Sequence, residues 1–135
     1  MNLWTARITY AGSDRLDITV KNTAVGSLGW LLAPSWALVG GHKLSVALAA
    51  NNRTEIQRWK AYQPLSHDQY TERFYQIVRE KYRTHPAAFL ELIRQDRSLC
   101  CFCQKDVFCH RHLAADIVMK IALTHGIDCR FHGER

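Results

Sequence analysis

An apolar, strand-like run that gives way within a few residues to a helical repeat constrains this chain more than any other feature. Ser98 to Cys103 reads as a short strand. Cys109 to His125 reads as a helix with Leu113, Ala114, Ile117, Val118 and Ile121 on one face. Gly126 is its stop, and Ile127 to Phe131 alternates as a last strand. Strand, loop, helix and strand make a parallel crossover unit, which predicts an α/β domain. Such a junction aims backbone N–H groups and a positive helix end at one place, where anions bind and thiolates are stabilised. Ligands of such sheets bind outside the carboxyl ends of the strands.

The rest of the chain fits this class with less definition. Leu3 to Tyr10 alternates as a strand, Gly12-Ser13-Asp14 reads as a turn, and Leu16 to Val20 is a second short β-branched run. The two runs predict a hairpin, or a strand followed by a functional loop. From Lys21 to Asn52, Gly26, Gly29, Pro34, Gly40 and Gly41 punctuate an apolar segment, which predicts loops carrying one or two short elements. Thr54 to Tyr62 reads as a helix ending before Pro64. Ser66 is an N-cap with Gln69 three residues on, as in a capping box, and Tyr70, Phe74, Ile77, Val78 and Lys81 follow at helical spacing. Pro86 fits the first turn of another helix, with Phe89, Leu90 and Ile93 inward.

Composition narrows the function classes. At 135 residues, residues 1–135 form one domain, and 47% hydrophobic with 22% charged residues is the balance of a soluble globular chain. The opening residues Met1 to Arg7 lack a basic start followed by an apolar stretch, so no secretory signal is read. The most apolar stretch, Leu28 to Gly41, holds Pro34 and Ser35 and is too short to span a bilayer, so no membrane role is expected. Five cysteines, four of them crowded into ten positions, do not form a secreted disulfide framework, and a reducing cytoplasm is expected. The net charge of +6 is scattered rather than gathered into an arm. It favours phosphate-bearing partners, nucleic acid among them, or else marks a solvated helix surface.

The thirteen residues from Cys100 to His112 hold four of the five cysteines and two of the seven histidines. Three readings compete for them. In the first, Cys109, His110 and Arg111 are catalytic: a helix N-terminus and neighbouring cations stabilise a Cys109 thiolate, His110 transfers a proton, and Arg111 forks onto a phosphate or carboxylate. In the second, Cys101, Cys103 and Cys109 with His110 or His112 ligate a metal, and zinc is the candidate cofactor. In the third, the cysteines are small core hydrophobes and Arg111 caps or pairs inside the fold. Two known patterns are absent. None of the four cysteines in this motif has an arginine six positions on, as cysteine phosphatases require, and no His-x-Glu precedes a Pro-Cys-x-x-Cys, as in zinc deaminases.

Other residues are candidates for the same pocket. Tyr10, Ser13 and Asp17 follow the first strand, and Asp17 would orient His110, hold a ribose hydroxyl, or only stabilise a turn. Lys21 and Lys43 are phosphate candidates. Trp36, Trp59 and Tyr70 would stack a base or belong to the core. The function expected is binding of a phosphate-bearing or nucleotide-like ligand, with Cys101, Cys103, Tyr10 and Asp17 as ligand contacts. The rivals are a nucleic-acid-binding module and a zinc-stabilised interaction domain.

The run Leu99-Cys100-Cys101-Phe102-Cys103 through Phe108-Cys109-His110-Arg111-His112-Leu113-Ala114 resembles the signature of the Domain of Unknown Function 488 family. Tyr10-Ala11-Gly12, Leu16 to Lys21, and Ala33-Pro34-Ser35-Trp36 are similar to that family's N-terminal pattern. The resemblance implies a small Rossmann-like α/β domain with a mainly parallel sheet and flanking helices, and with no established activity. The matching positions are Cys101, Cys109, His110 and Arg111. Many relatives carry an acidic residue where this chain has Cys103.

Overall fold

A computed structural model describes residues 1–22, 26–104 and 107–135; Lys105 and Asp106 of the cysteine-rich motif lie outside the described residues. Four strands, β1 (Asn2–Arg7), β2 (Arg15–Asp17), β3 (Arg97–Cys101) and β4 (Arg130–Glu134), form one sheet in the order β2-β3-β1-β4. Every pairing is parallel: β1 with β3, β1 with β4, and β2 with β3. Among the described residues, five α-helices accompany it: α1 (Trp36–Ala49), α2 (Arg53–Trp59), α3 (His67–Thr84), α4 (Pro86–Leu92) and α5 (His110–Thr124). This is a small Rossmann-like α/β domain. Among the described residues, no helix is long and apolar enough to cross a membrane.

The hairpin expected between the first two runs does not form. The chain leaves β1, loops back and sets β2 on the far side of β3, with Arg15 opposite Ser98 and Leu16 opposite Leu99. A polar knot fixes that return: Asp14 accepts from Tyr10 Oη at 2.7 Å and from Ser98 Oγ at 2.7 Å. Leu3, Leu16 and Leu99 then share one sheet face, as their register requires. They are buried with Phe74 of α3, Phe89 of α4 and Val118 of α5.

Residues 36–49 form a single 14-residue helix where punctuated loops were expected. Ser35 caps it, its Oγ accepting from Leu38 N at 3.3 Å. Gly40 and Gly41 do not break the helix; they let residues 62–65 approach it. A Cβ on Gly40 would stand 2.3 Å from the Tyr62 ring, and one on Gly41 would stand 2.6 Å from the Gln63 carbonyl. Glycine's cost of about 1 kcal/mol inside a helix is offset by that close packing.

The α3 capping box is present, since Ser66 and Gln69 exchange side-chain-to-backbone bonds at 2.9 and 3.1 Å. Lys81, at the end of the apolar stripe, turns its Nζ to the carbonyls of Trp30 and Ala33 at 2.7 and 3.1 Å. It thereby satisfies the short 3-10 turn at Gly29–Leu32. The last strand begins later than its alternation suggests. Ile127 is still tied to Ala122 of α5, and pairing starts where Arg130 meets Asn2.

Candidate functional site

A cavity of about 330 Å³ opens beyond the carboxyl ends of β2 and β3. Its floor is the cysteine-rich junction, and α1 and α2 form a wall opposite, with Trp36, Lys43, Arg58 and Trp59. Thr19 to Lys21, just after β2, close one side. The position agrees with the general rule for open parallel sheets.

The floor is built by three short backbone features. Cys101 is the last residue of β3, Cys103 lies in the loop after it, and Cys109 is the extended N-cap residue of α5. Their sulfurs all lie within 4.8 Å of one another, and those of Cys101 and Cys109 are 2.8 Å apart. The cluster shares its charge unequally. Thiol hydrogen bonds from Cys101 and Cys109, followed by the positive charges of Arg111 and Lys43, hold the Cys103 pKa well below the usual thiol range. Hydrogen bonding with Cys101 and Cys103, reinforced by burial, pushes Cys109 up instead. Cys109, the N-cap residue of α5, is thus the member of the three whose charged form its neighbours disfavour. Cys100 is not a member: it lies on the opposite sheet face, its S–H donates to the Ser98 carbonyl at 3.2 Å, and burial raises its pKa to about 11.

Arg111 does not reach the cavity. Its side chain is 0% exposed and all five of its N–H groups have partners. Nη1 donates to Cys101 Sγ at 2.9 Å and to the Cys103 carbonyl at 3.0 Å. Nη2 donates to the Gln104 carbonyl at 2.9 Å and to Glu134 Oε1 at 2.8 Å, and Nε to Glu134 Oε2 at 3.4 Å. Burial opposes its charge, but the Cys101 sulfur and the Glu134 carboxylate more than compensate, so the guanidinium stays protonated. The expectation that Arg111 forks onto a bound phosphate is corrected: its fork is spent on the protein. Glu134, which also accepts from Thr5 Oγ1, was not legible as a site residue. Only the pairing of β1 with β4 carries it there, and no local motif announces such a contact.

His110 is also committed. Its Nε2–H donates to the Ile18 carbonyl at 2.7 Å, which fixes the tautomer and leaves Nδ1 as an acceptor 3.7 Å from Cys109 Sγ. Burial lowers its pKa, so the ring is neutral. His112 is half-buried on α5 and does not join the ligand-bearing group.

Two further candidates lie elsewhere. Tyr10 is bonded to Asp14 and sits under the Arg135 guanidinium, 5.0 Å from its ring centre. Asp17 accepts from the Thr19 amide at 2.9 Å, the local turn that its residue type favours, and does not touch His110. Neither lines the cavity. The secondary candidates Lys21, Lys43, Trp36, Trp59 and Tyr70 all line it.

The wall has a different character. Trp59 is held by a bond from its Nε1 to Glu55 at 3.0 Å and carries the Arg58 guanidinium 5.2 Å from its ring centre. Trp36 is 43% exposed. Lys21 and Lys43 have no ion-pair partner among the described residues. Between wall and floor, Phe108 stacks on His67 at 4.0 Å and meets Tyr70 edge-on at 5.3 Å. Burial, and then the neighbouring sulfurs, push the Tyr70 hydroxyl far up, so it stays protonated. The His42 ring lies 5.3 Å from Phe108, and its buried Nδ1 has no hydrogen-bond partner among the described residues.

No family model matches the chain, and neither a curated protein nor a solved structure does.

Proposed function

We propose that this domain binds a phosphate-bearing, nucleotide-like ligand in the cavity beyond β2 and β3, using the wall rather than Arg111 for recognition. The observation that carries this reading is the convergence on one cavity of two tryptophans, Arg58 and two lysines that form no ion pair with a carboxylate among the described residues. Planar rings stack on indoles, and sequence-tolerant base stacking contributes about 1–3 kcal/mol per base. Ammonium and guanidinium groups attract phosphate oxygens, most strongly where the cavity walls exclude water. A cavity of about 330 Å³ falls at the lower end of the range for small-molecule sites. The likeness of the Cys-His-Arg segment to the Domain of Unknown Function 488 signature fits a shared scaffold. In that scaffold Arg111 supports the floor.

Calorimetric titration of the full chain with a nucleoside diphosphate, a sugar phosphate and orthophosphate, in the presence of a chelator, tests the reading. The nucleoside diphosphate is expected to bind tightest, because it alone engages both rings and cations. Lys43→Ala should weaken it about tenfold, the equivalent of one charged hydrogen bond. Equal, weak binding of all three compounds, unaffected by Lys43→Ala, would remove the proposal.

A further inference from the structure

The floor holds a second chemistry that does not depend on the ligand reading. We propose that Cys101, Cys103 and Cys109 bind one thiophilic d10 cation, zinc(II), with the fourth coordination position facing the cavity. Three sulfurs from separate parts of the backbone converge within 4.8 Å, and all three residues line the cavity, so an ion has both ligands and an entry path. In tetrahedral zinc thiolates, Zn–S bonds of about 2.3 Å place sulfurs about 3.8 Å apart. The 2.8 Å edge between Cys101 and Cys109 must open, and the widest must close, each by about 1 Å or less. Side-chain rotation supplies movements of that size.

The surroundings are those of a supported metal site. Arg111 Nη1 donates to Cys101 Sγ and to the Cys103 carbonyl, so one buried group orients two of the three ligands. Charge points the same way. Three thiolates gathered in this space would face one guanidinium that Glu134 already shares. A dication reduces the three-sulfur group to a net single negative charge, which Arg111 and Lys43 can accommodate. Three protein ligands with the fourth position toward a cavity is the pattern of open rather than closed zinc sites.

Cobalt(II) titration of the reduced full chain, without nucleotide, tests this. A thiolate-to-cobalt charge-transfer absorption should saturate at one equivalent and vanish when zinc is added. Cys103→Ser should lower the absorption per cobalt by about a third and weaken binding more than about 100-fold, beyond what loss of a supporting residue costs. His112→Ala should change neither. X-ray absorption on the zinc-loaded natural chain, which needs no variant to fold, should count three sulfurs and one lighter ligand. Absence of the absorption at stoichiometric cobalt, or a shell of any other sulfur number, overturns the proposal. The nucleotide titration, run with chelator, fails or succeeds separately.

Discussion

Arg111 in the floor of the cavity has every N–H group bonded to protein, whereas Lys21 and Lys43 beside the wall have no ion-pair partner among the described residues. The two regions hold cations for different ends. The floor cation ties the end of β3 and its loop to β4 through Glu134, and it is dry. The wall cations sit with indoles at the edge of an open volume, where a guest can still reach them. A charge close to the cavity is therefore not automatically a recognition group. Its remaining hydrogen-bonding capacity decides.

The sharpest way to break this contrast is Arg111→Ala. It leaves Glu134 nearly buried and unpaired and the Cys103 and Gln104 carbonyls without their donor, and it should cost about 3–5 kcal/mol of stability. Urea unfolding measures it. The double change Arg111→Met with Glu134→Leu should cost clearly less, because no buried charge is stranded. A small loss in the single variant would mean that the floor is not a structural knot.

Gly41→Ala probes how the wall is set. Its new methyl group meets the Gln63 carbonyl and Leu65 in the packed seam, so about 1–3 kcal/mol of destabilisation is expected in the same assay. Trp36→Ala should separate the regions in the opposite sense. With that ring 43% exposed, stability should change by less than about 0.5 kcal/mol. Affinity for a nucleoside diphosphate should fall about tenfold, within the range for one stacked base. A stability loss without an affinity loss would assign Trp36 to packing.

The smallest effect concerns pH. Burial, then the positive charges of His67 and Lys43, lower the His42 pKa in the folded chain. An unfolded histidine titrates near about 6.5. Above that pH neither state binds the proton, so His42 contributes no pH dependence. As pH falls below it, the unfolded chain takes up a proton that the folded chain resists, and stability declines. His42→Asn should make that part of the stability curve between pH 7 and 5 shallower, with buried His110, shifted the same way, supplying the remainder, while leaving the steeper acid limb set by carboxylates such as Asp14.

The floor was largely legible in the sequence and the wall was not, for physical reasons. Parallel strands and a following helix leave strong local patterns, so β3, α5 and the cysteine junction between them could be placed from residues 98–125 alone. What those residues do was less visible. Arg111 is adjacent to Cys109 and His110 in sequence, yet its direction is set by Glu134, a partner supplied by sheet pairing. The wall hides behind Gly40 and Gly41. Local rules read them as breaks, while the close approach of residues 62–65 makes them helix interior. Similarly, β2 pairs with a strand more than eighty residues on in sequence rather than with its neighbour β1. Turn chemistry at residues 12–14 specifies that the chain reverses but not where it arrives.

The four indole N–H signals of the full chain, one each from Trp4, Trp30, Trp36 and Trp59, give the most direct test of recognition by the wall. In a proton–nitrogen correlation spectrum, a saturating nucleoside diphosphate should move the Trp36 and Trp59 signals together, and leave Trp4 and Trp30, outside the cavity, in place. Stationary Trp36 and Trp59 signals, or equal movement of all four, would contradict it.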